Sequence, residues 1–313
     1  MLASGSGSGY GTGLCSGGLT SSQLRQVRGL RRPGANGVLP TSLTNNVGDV
    51  REVDRTGGFT VFVACSTLCF SKLALDDALR VIREMHFTKA DLALHEQGPH
   101  LRPSEVASDV TRIAQKLKTA NVPFAAFDFE PAQPHGPDGR TQLRAVCRLA
   151  RLLAVPVLTI AAAAIGSDLN TEISRLTEWN KIAEAEGVIL TVDTRSDTLT
   201  ADPLGTMELC RRISGLGITL DPSHYLINPN GPQNYDALFP YVRHTKLRDS
   251  GSKPELFQVR VGQGELEYGR IVTQLERYKY ERTLTVDIRD VPDNPFPVEP
   301  EVRKLKYLLE SLV

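Results

Sequence analysis

The chain has 313 residues, 41% of them hydrophobic, with 36 Lys+Arg balanced by 36 Asp+Glu. That length holds one large domain or two small ones, and the zero formal charge argues against a nucleic-acid-binding protein. Five scattered cysteines fit a reduced interior rather than a disulfide framework. No apolar run approaches the about 18 residues of a membrane span, so a cytoplasmic protein with no membrane partner is expected.

Residues 1–57 read as a low-complexity arm. Ser4 to Gly13 is built largely of glycine and serine, and Arg25, Arg28, Arg31 and Arg32 follow with no acid before Asp49. Such composition favours a flexible or disordered segment outside the core. It lacks the apolar stretch of a secretory signal. An assembly role for the arm stays open. The compact domain is expected to span residues 58–313.

From Phe59 onward, apolar runs alternate with amphipathic ones. Strands are predicted at Phe59–Cys65, Ala90–His95, Pro123–Asp128, Pro156–Ala162, Val188–Asp193, Gly217–Asp221, Tyr241–Lys246 and Thr283–Ile288. Helices are predicted between them, at Leu75–Met85, Pro103–Thr119, Gln142–Leu153, Asn170–Glu186, Asp202–Ser214, Tyr268–Lys279 and Pro300–Leu312. Leu75, Ala78, Leu79 and Ile82 make one apolar stripe, and Gly187 sits where a helix ends before a strand. Strand–helix alternation over this length predicts an α/β fold, a (β/α)8 TIM barrel with an N-terminal flexible arm. A doubly wound sheet needs a glycine-rich phosphate turn after its first strand, and Cys65-Ser-Thr-Leu-Cys69 is not one. Gly262-x-Gly264 lies in a long loop, the wrong context for a dinucleotide fingerprint. Cys65 and Cys69 lack the partner cysteines of a zinc site.

The later strands carry the chemistry. Thr191 and Asp193, Thr219 and Asp221, His244 and Lys246, and Thr285 and Asp287 are each two residues apart. Residues at that spacing point to one face of a strand. A closed parallel barrel gathers such groups at the C-terminal ends of its strands, so three carboxylates and one amine are expected on one floor. The long segments Phe129–Thr141, Thr194–Ala201, Pro222–Asp236 and Leu247–Glu267 all follow strands and would build the pocket above it. His95 with Glu96, and Asp128 with Glu130, end the second and third strands and are candidates for its wall. Arg248 and Asp249 read either as substrate contacts or as a surface pair. His244 reads as a buried hydrogen-bonded histidine, His135 as a solvated loop residue, and Trp179 as core.

Gly217-Ile-Thr-Leu-Asp-Pro-Ser-His224, Tyr241 to Asp249, Gly262-Gln-Gly-Glu-Leu-Glu-Tyr-Gly269 and Leu284-Thr-Val-Asp287 together resemble the sugar phosphate isomerase/epimerase family of the xylose-isomerase-like TIM barrel superfamily. The resemblance implies one divalent metal, Mn, Mg or Zn, held by Glu, Asp, His and Glu at four successive strand ends. It further implies that the two glutamates move a proton between adjacent sugar carbons. Here Asp193 stands for the first glutamate, Asp221 is kept, Lys246 replaces the histidine and Asp287 replaces the last glutamate. Each shortened carboxylate retracts by about 1.5 Å, and a protonated amine cannot ligate a metal. Two sites stay open: a metal-free one with the Lys246 ammonium near the metal seat, and a shifted metal on Asp193, Asp221 and Asp287.

Three functions compete. The first is isomerisation or epimerisation of a sugar or polyol through an enediolate, with Asp193 and Asp287 as acid/base pair and Lys246 as the cation. His224, Asp221, His95 and Asp249 would then contact the small-molecule substrate. The second is a barrel without catalysis, serving binding or assembly. The third, a DNA-repair nuclease of the same fold, needs several metals and many His, Glu and Asp ligands; six histidines in all, no basic excess and Lys246 in the site argue against it. Homo-oligomerisation stays open.

Overall fold

The computed structural model describes residues 61–228, 231–292 and 294–313. The predicted arm, residues 1–57, lies outside them. Eight parallel strands close in chain order into a barrel. They are β1 (Phe62–Ser66), β2 (Lys89–His95), β3 (Phe124–Glu130), β4 (Val157–Ile160), β5 (Ile189–Asp193), β6 (Gly217–Leu220), β7 (Val242–Leu247) and β8 (Thr283–Val286). β8 pairs back onto β1 through Phe62↔Thr283 to Cys65↔Val286, so no strand edge stays open.

The helices are α1 (Leu75–Glu84), α2 (Pro103–Ser108), α3 (Val110–Thr119), α4 (Pro137–Leu152), α5 (Leu169–Ala185), α6 (Pro203–Arg212), the single turn α7 (Ser223–Leu226), α8 (Tyr268–Arg277) and α9 (Val298–Glu310). Their apolar stripes pack on the outward faces of the strands. The α1 stripe of Leu75, Ala78, Leu79 and Ile82 is buried as the spacing predicts, and burying each large side chain there contributes about 2 kcal/mol. Trp179 is 1% exposed and packs against Phe129, a core residue as expected. Asp109, Asp168 and Asp202 cap α3, α5 and α6 by accepting backbone N–H groups of Arg112, Thr171 and Gly205. Each such cap is worth about 1 kcal/mol. Gly187 ends α5 with φ +72°, the left-handed geometry that a glycine adopts without steric cost.

Three predicted elements differ. The helix expected over Pro103–Thr119 is broken at Asp109, where φ is −159° and the side chain turns to cap α3. α4 starts at Pro137 rather than Gln142, because a proline suits the first helical turn. The turn α7 follows Asp221-Pro222 directly, where only loop was expected.

Inside the barrel, the lower rung combines threonine hydroxyls with the His244–Asp91 pair. Thr159, Thr191 and Thr219 bond one another at 2.7–3.1 Å. His244 bonds Asp91 at 2.5 Å, with Thr285 at 3.3 Å from the same ring nitrogen. Thus His244 is a buried hydrogen-bonded histidine, as read from its position. The charged groups occupy the next rung toward the C-terminal mouth.

Candidate functional site

The four predicted side chains share the C-terminal end of the barrel, but two cations divide them. Lys246, on β7, donates to Asp128 Oδ2 of β3 at 2.9 Å and to Asp193 Oδ2 of β5 at 3.0 Å. It does not bond to Asp221 or Asp287, so the expected trio around one ammonium is replaced by a pair. Burial disfavours the ammonium, but Asp128, Asp193 and Asp287 outweigh it and hold Lys246 charged, well above the usual lysine range. Burial also acts on the carboxylates. Asp128 is nevertheless held well below its usual range by Lys246 and His95. Asp193 is raised, because burial and the Asp128 and Asp221 charges outweigh Lys246. Asp193 Oδ1 is buried without a hydrogen-bond partner. The inner carboxyl of this pair is therefore the one nearer to exchanging a proton.

The second cation is Arg248, just beyond β7. It is no surface residue: its side chain is 0% exposed. One nitrogen, Nη2, lies 2.6 Å from Asp221 Oδ2 and 2.6 Å from Asp287 Oδ2. Phe257 lies against the guanidinium at 4.6 Å. Asp221 also accepts from the Ser223 amide at 3.1 Å and from its hydroxyl. Asp287, although buried, is held well below the usual carboxylate range by Arg289, Arg248 and Lys246. A third arginine, Arg289, reaches Asp287 with Nε at 3.5 Å. Its backbone is clasped on both sides by the Gln258 amide at 2.7 and 2.9 Å.

The remaining candidates lie around this floor. His95 stands at the rim, 3.3 Å from Asp128. His224 Nδ1 accepts the Ser196 amide at 3.2 Å, so the neutral ring carries its proton on Nε2, 3.8 Å from Asp221. Burial pushes His224 down to about 4, and Arg248, Arg289 and Arg195 reinforce that against the opposing Asp221. Asp249 is turned into the loop. It accepts from the amides of Gly262 at 2.7 Å, Gly264 at 3.0 Å and Ser250 at 3.1 Å. A Cβ on Gly264 would collide with that carboxylate, which explains the glycine spacing as loop architecture. Glu96 binds the Ser104 amide at the start of α2, away from the floor. A cavity of about 340 Å³ opens past the ends of β3–β5, lined by Phe129, Glu130, Trp179, Arg195 and the loop residue His135 among others but by none of the floor carboxylates. Its size suits a small ligand.

Strand position put Asp128 on the pocket wall rather than the floor and left Arg248 open between a substrate contact and a surface pair. Both had a signal. Asp128 lies between Phe127 and Phe129 on a strand, and a charge flanked by core aromatics is expected to have a partner. Arg248 continues the two-residue spacing of His244 and Lys246.

The donor set does not fit a divalent ion. Lysine replaces the implied histidine, and one oxygen each of Asp193, Asp221 and Asp287 already faces an ammonium or guanidinium. Among the described residues, no group of three His, Cys, Asp or Glu is placed to hold a metal. No described helix is long and apolar enough to cross a membrane.

The fold is shared with solved sugar epimerases. A D-tagatose 3-epimerase-like protein superimposes with a TM-score of 0.62 at 18% identity, covering 80% of this chain and 98% of its own. D-allulose 3-epimerase from Methylomonas sp. gives 0.64 at 13% identity, covering 81% and 98%. A xylose isomerase-like barrel protein from Mycobacterium smegmatis in complex with magnesium gives 0.62 at 15%, covering 81% and 98%. Identities this low show a common architecture only. A search of curated proteins finds no match. The family model described as xylose isomerase-like TIM barrel matches residues 79–308, and the chain belongs to that family.

Proposed function

We propose that this protein binds a sugar or polyol at the barrel mouth and moves a proton between adjacent carbons, with Asp193 as the base and Lys246 as the cation. The observation that carries this reading is the state of Asp193: one oxygen on a buried ammonium, the other unpartnered, and the carboxyl raised by burial and neighbouring charge. Such a group suits proton abstraction next to a carbonyl. The C–H bond breaks as Oδ1–H forms, and negative charge moves to the carbonyl oxygen. Lys246, fixed between Asp128 and Asp193, is charged and pre-positioned to stabilise that oxygen. The hydroxyl proton on the deprotonated carbon then passes to the former carbonyl oxygen, and return of the abstracted proton from Asp193 to the former carbonyl carbon, as the new C=O forms on its neighbour, completes an isomerisation.

Asp287 is not used as the second base. Its carboxyl is held low by arginines, and so weakly basic a group takes up protons poorly. With one base, transfer occurs on one face of the enediolate. This favours aldose–ketose interconversion over epimerisation, which delivers a proton to the opposite face. The similarity in fold to D-tagatose and D-allulose 3-epimerase structures supports a sugar-like substrate. The test is solvent deuterium exchange into a panel of aldoses and ketoses, followed by NMR. Exchange at the carbon beside the carbonyl that is lost in Asp193→Asn is expected. No exchange with any panel member would sink the reading.

A second reading, binding without turnover, is favoured by the burial of Asp221, Lys246, Arg248 and Asp287, each at most 2% exposed. Saturable sugar binding with no deuterium incorporation would select it.

A further inference from the structure

We infer that Arg248 Nη2 is a built-in cation, and that the space it fills between Asp221 and Asp287 is a cation site which the chain closes with its own side chain. The geometry is that of a bridging ion rather than of an ordinary arginine pair. Arginine usually meets one carboxylate with two nitrogens. Here one nitrogen meets two carboxylates, at 2.6 Å each, while Nε and Nη1 are buried without partners. One corner of the guanidinium thus stands between two oxygens from different strands, where a free cation would sit. Phe257 covers the guanidinium, and Asp249 pins the loop that carries Phe257 by holding Gly262 and Gly264. Asp221 is itself oriented by Ser223. Asp221, held in this way, stays in place when the guanidinium is removed, and Asp287 keeps Arg289 at 3.5 Å.

The expectation is that truncating Arg248 opens a site for a small free cation. Arg248→Ala leaves Asp221 and Asp287 facing a buried space between them, with Arg289 as the guanidinium that remains, 3.5 Å from Asp287. A divalent ion, or a guanidinium of matching shape, should then bind and stabilise the fold. The readout is the thermal midpoint of full-length protein with MnCl2 or methylguanidinium chloride added at millimolar concentration. Either cation should raise the midpoint of Arg248→Ala by about 4 °C or more and leave wild type unchanged. Arg248→Ala/Asp287→Asn, one carboxylate short, should lose the response to both. If Arg248→Ala folds only when a cation is supplied during refolding, recovery with Mn2+ or methylguanidinium supports the inference. Wild type stabilised by Mn2+ as strongly as the variant would overturn it, as would a variant indifferent to both cations. The outcome is independent of sugar proton exchange, because it reads binding and stability alone.

Discussion

Lys246 and Arg248 lie two residues apart and divide four carboxylates between them, yet the two halves are built for different behaviour. The Lys246 half is adjustable. Its outer carboxylate, Asp128, keeps 17% side-chain exposure, and Asp193 is raised with one oxygen free. The Arg248 half is locked. Asp221 and Asp287 are at most 2% exposed, and Asp287 is held low by three cations. Identical carboxylates therefore become a proton-exchanging group or a structural anchor according to the cation beside them. Lysine gives one compact charge shared between an inner and an outer acid. Arginine, which stays charged in any protein environment, helps to hold Asp287 as an anion.

The largest effect should come from breaking the locked half. Arg248→Met leaves buried Asp221 without its guanidinium and Asp287 with Arg289 alone at 3.5 Å, and should cost about 3–5 kcal/mol, measured by urea unfolding in metal-free buffer. A loss under about 1 kcal/mol would mean that the guanidinium behaves as a surface pair, and the contrast between the halves would collapse.

Lys246→Met should cost somewhat less, about 3 kcal/mol at pH 8, and its cost should depend on pH. Without the ammonium, burial and mutual repulsion raise the Asp128–Asp193 pair above the usual carboxylate value. A carboxyl raised in the folded state stabilises while protonated, and that contribution is lost as pH rises through the folded value. The variant should therefore be less stable at pH 8 than at pH 5. A flat profile over that interval would show that the ammonium does not neutralise this pair.

Much of this floor was legible before any coordinates. The polar pairs on β5 to β8 mark inward faces because a strand repeats every two residues, and the barrel then gathers Asp193, Asp221, Lys246 and Asp287. What spacing does not convey is the partner of a long side chain. Arg248 lies past the end of β7, and only tertiary packing under Phe257 turns it inward. Asp128 was legible as a wall residue but its pairing with Lys246 was not, for a related reason: that partner is 118 residues away. Asp249 shows the converse. Its position matched a pocket residue, but the amides of Gly262 and Gly264 come from a loop whose fold local sequence does not specify.

His224 offers a smaller, opposite pH signature. Its ring titrates near its ordinary 6.5 when unfolded and is pushed down to about 4 in the fold. Between those values the unfolded state binds more protons, so wild-type stability should fall as pH drops, by up to about 3 kcal/mol. The Arg248 half, which faces this ring together with Arg195 and Arg289, is what the proton would disturb. His224→Gln should remove this part of the acid slope while leaving unfolding above pH 7 little changed. An unaltered slope would place the proton uptake elsewhere.

The smallest effect should separate charge from packing. Thr191 lies two residues before Asp193 and bonds Thr159 and Thr219 in the hydroxyl cluster below the floor. Thr191→Val keeps the shape and removes one hydroxyl, which leaves its partners one hydrogen bond short and should cost about 1 kcal/mol. No charge is altered, so the loss should be the same at pH 5 and pH 8, unlike that of Lys246→Met. The rung also supports Asp193 from beneath, and a change there could act through the carboxylate rather than through packing. In that case the cost would vary with pH in the direction seen for Lys246→Met. A pH-independent cost would show that the adjustable behaviour of Asp193 comes from the charges beside it and not from the hydroxyls beneath it.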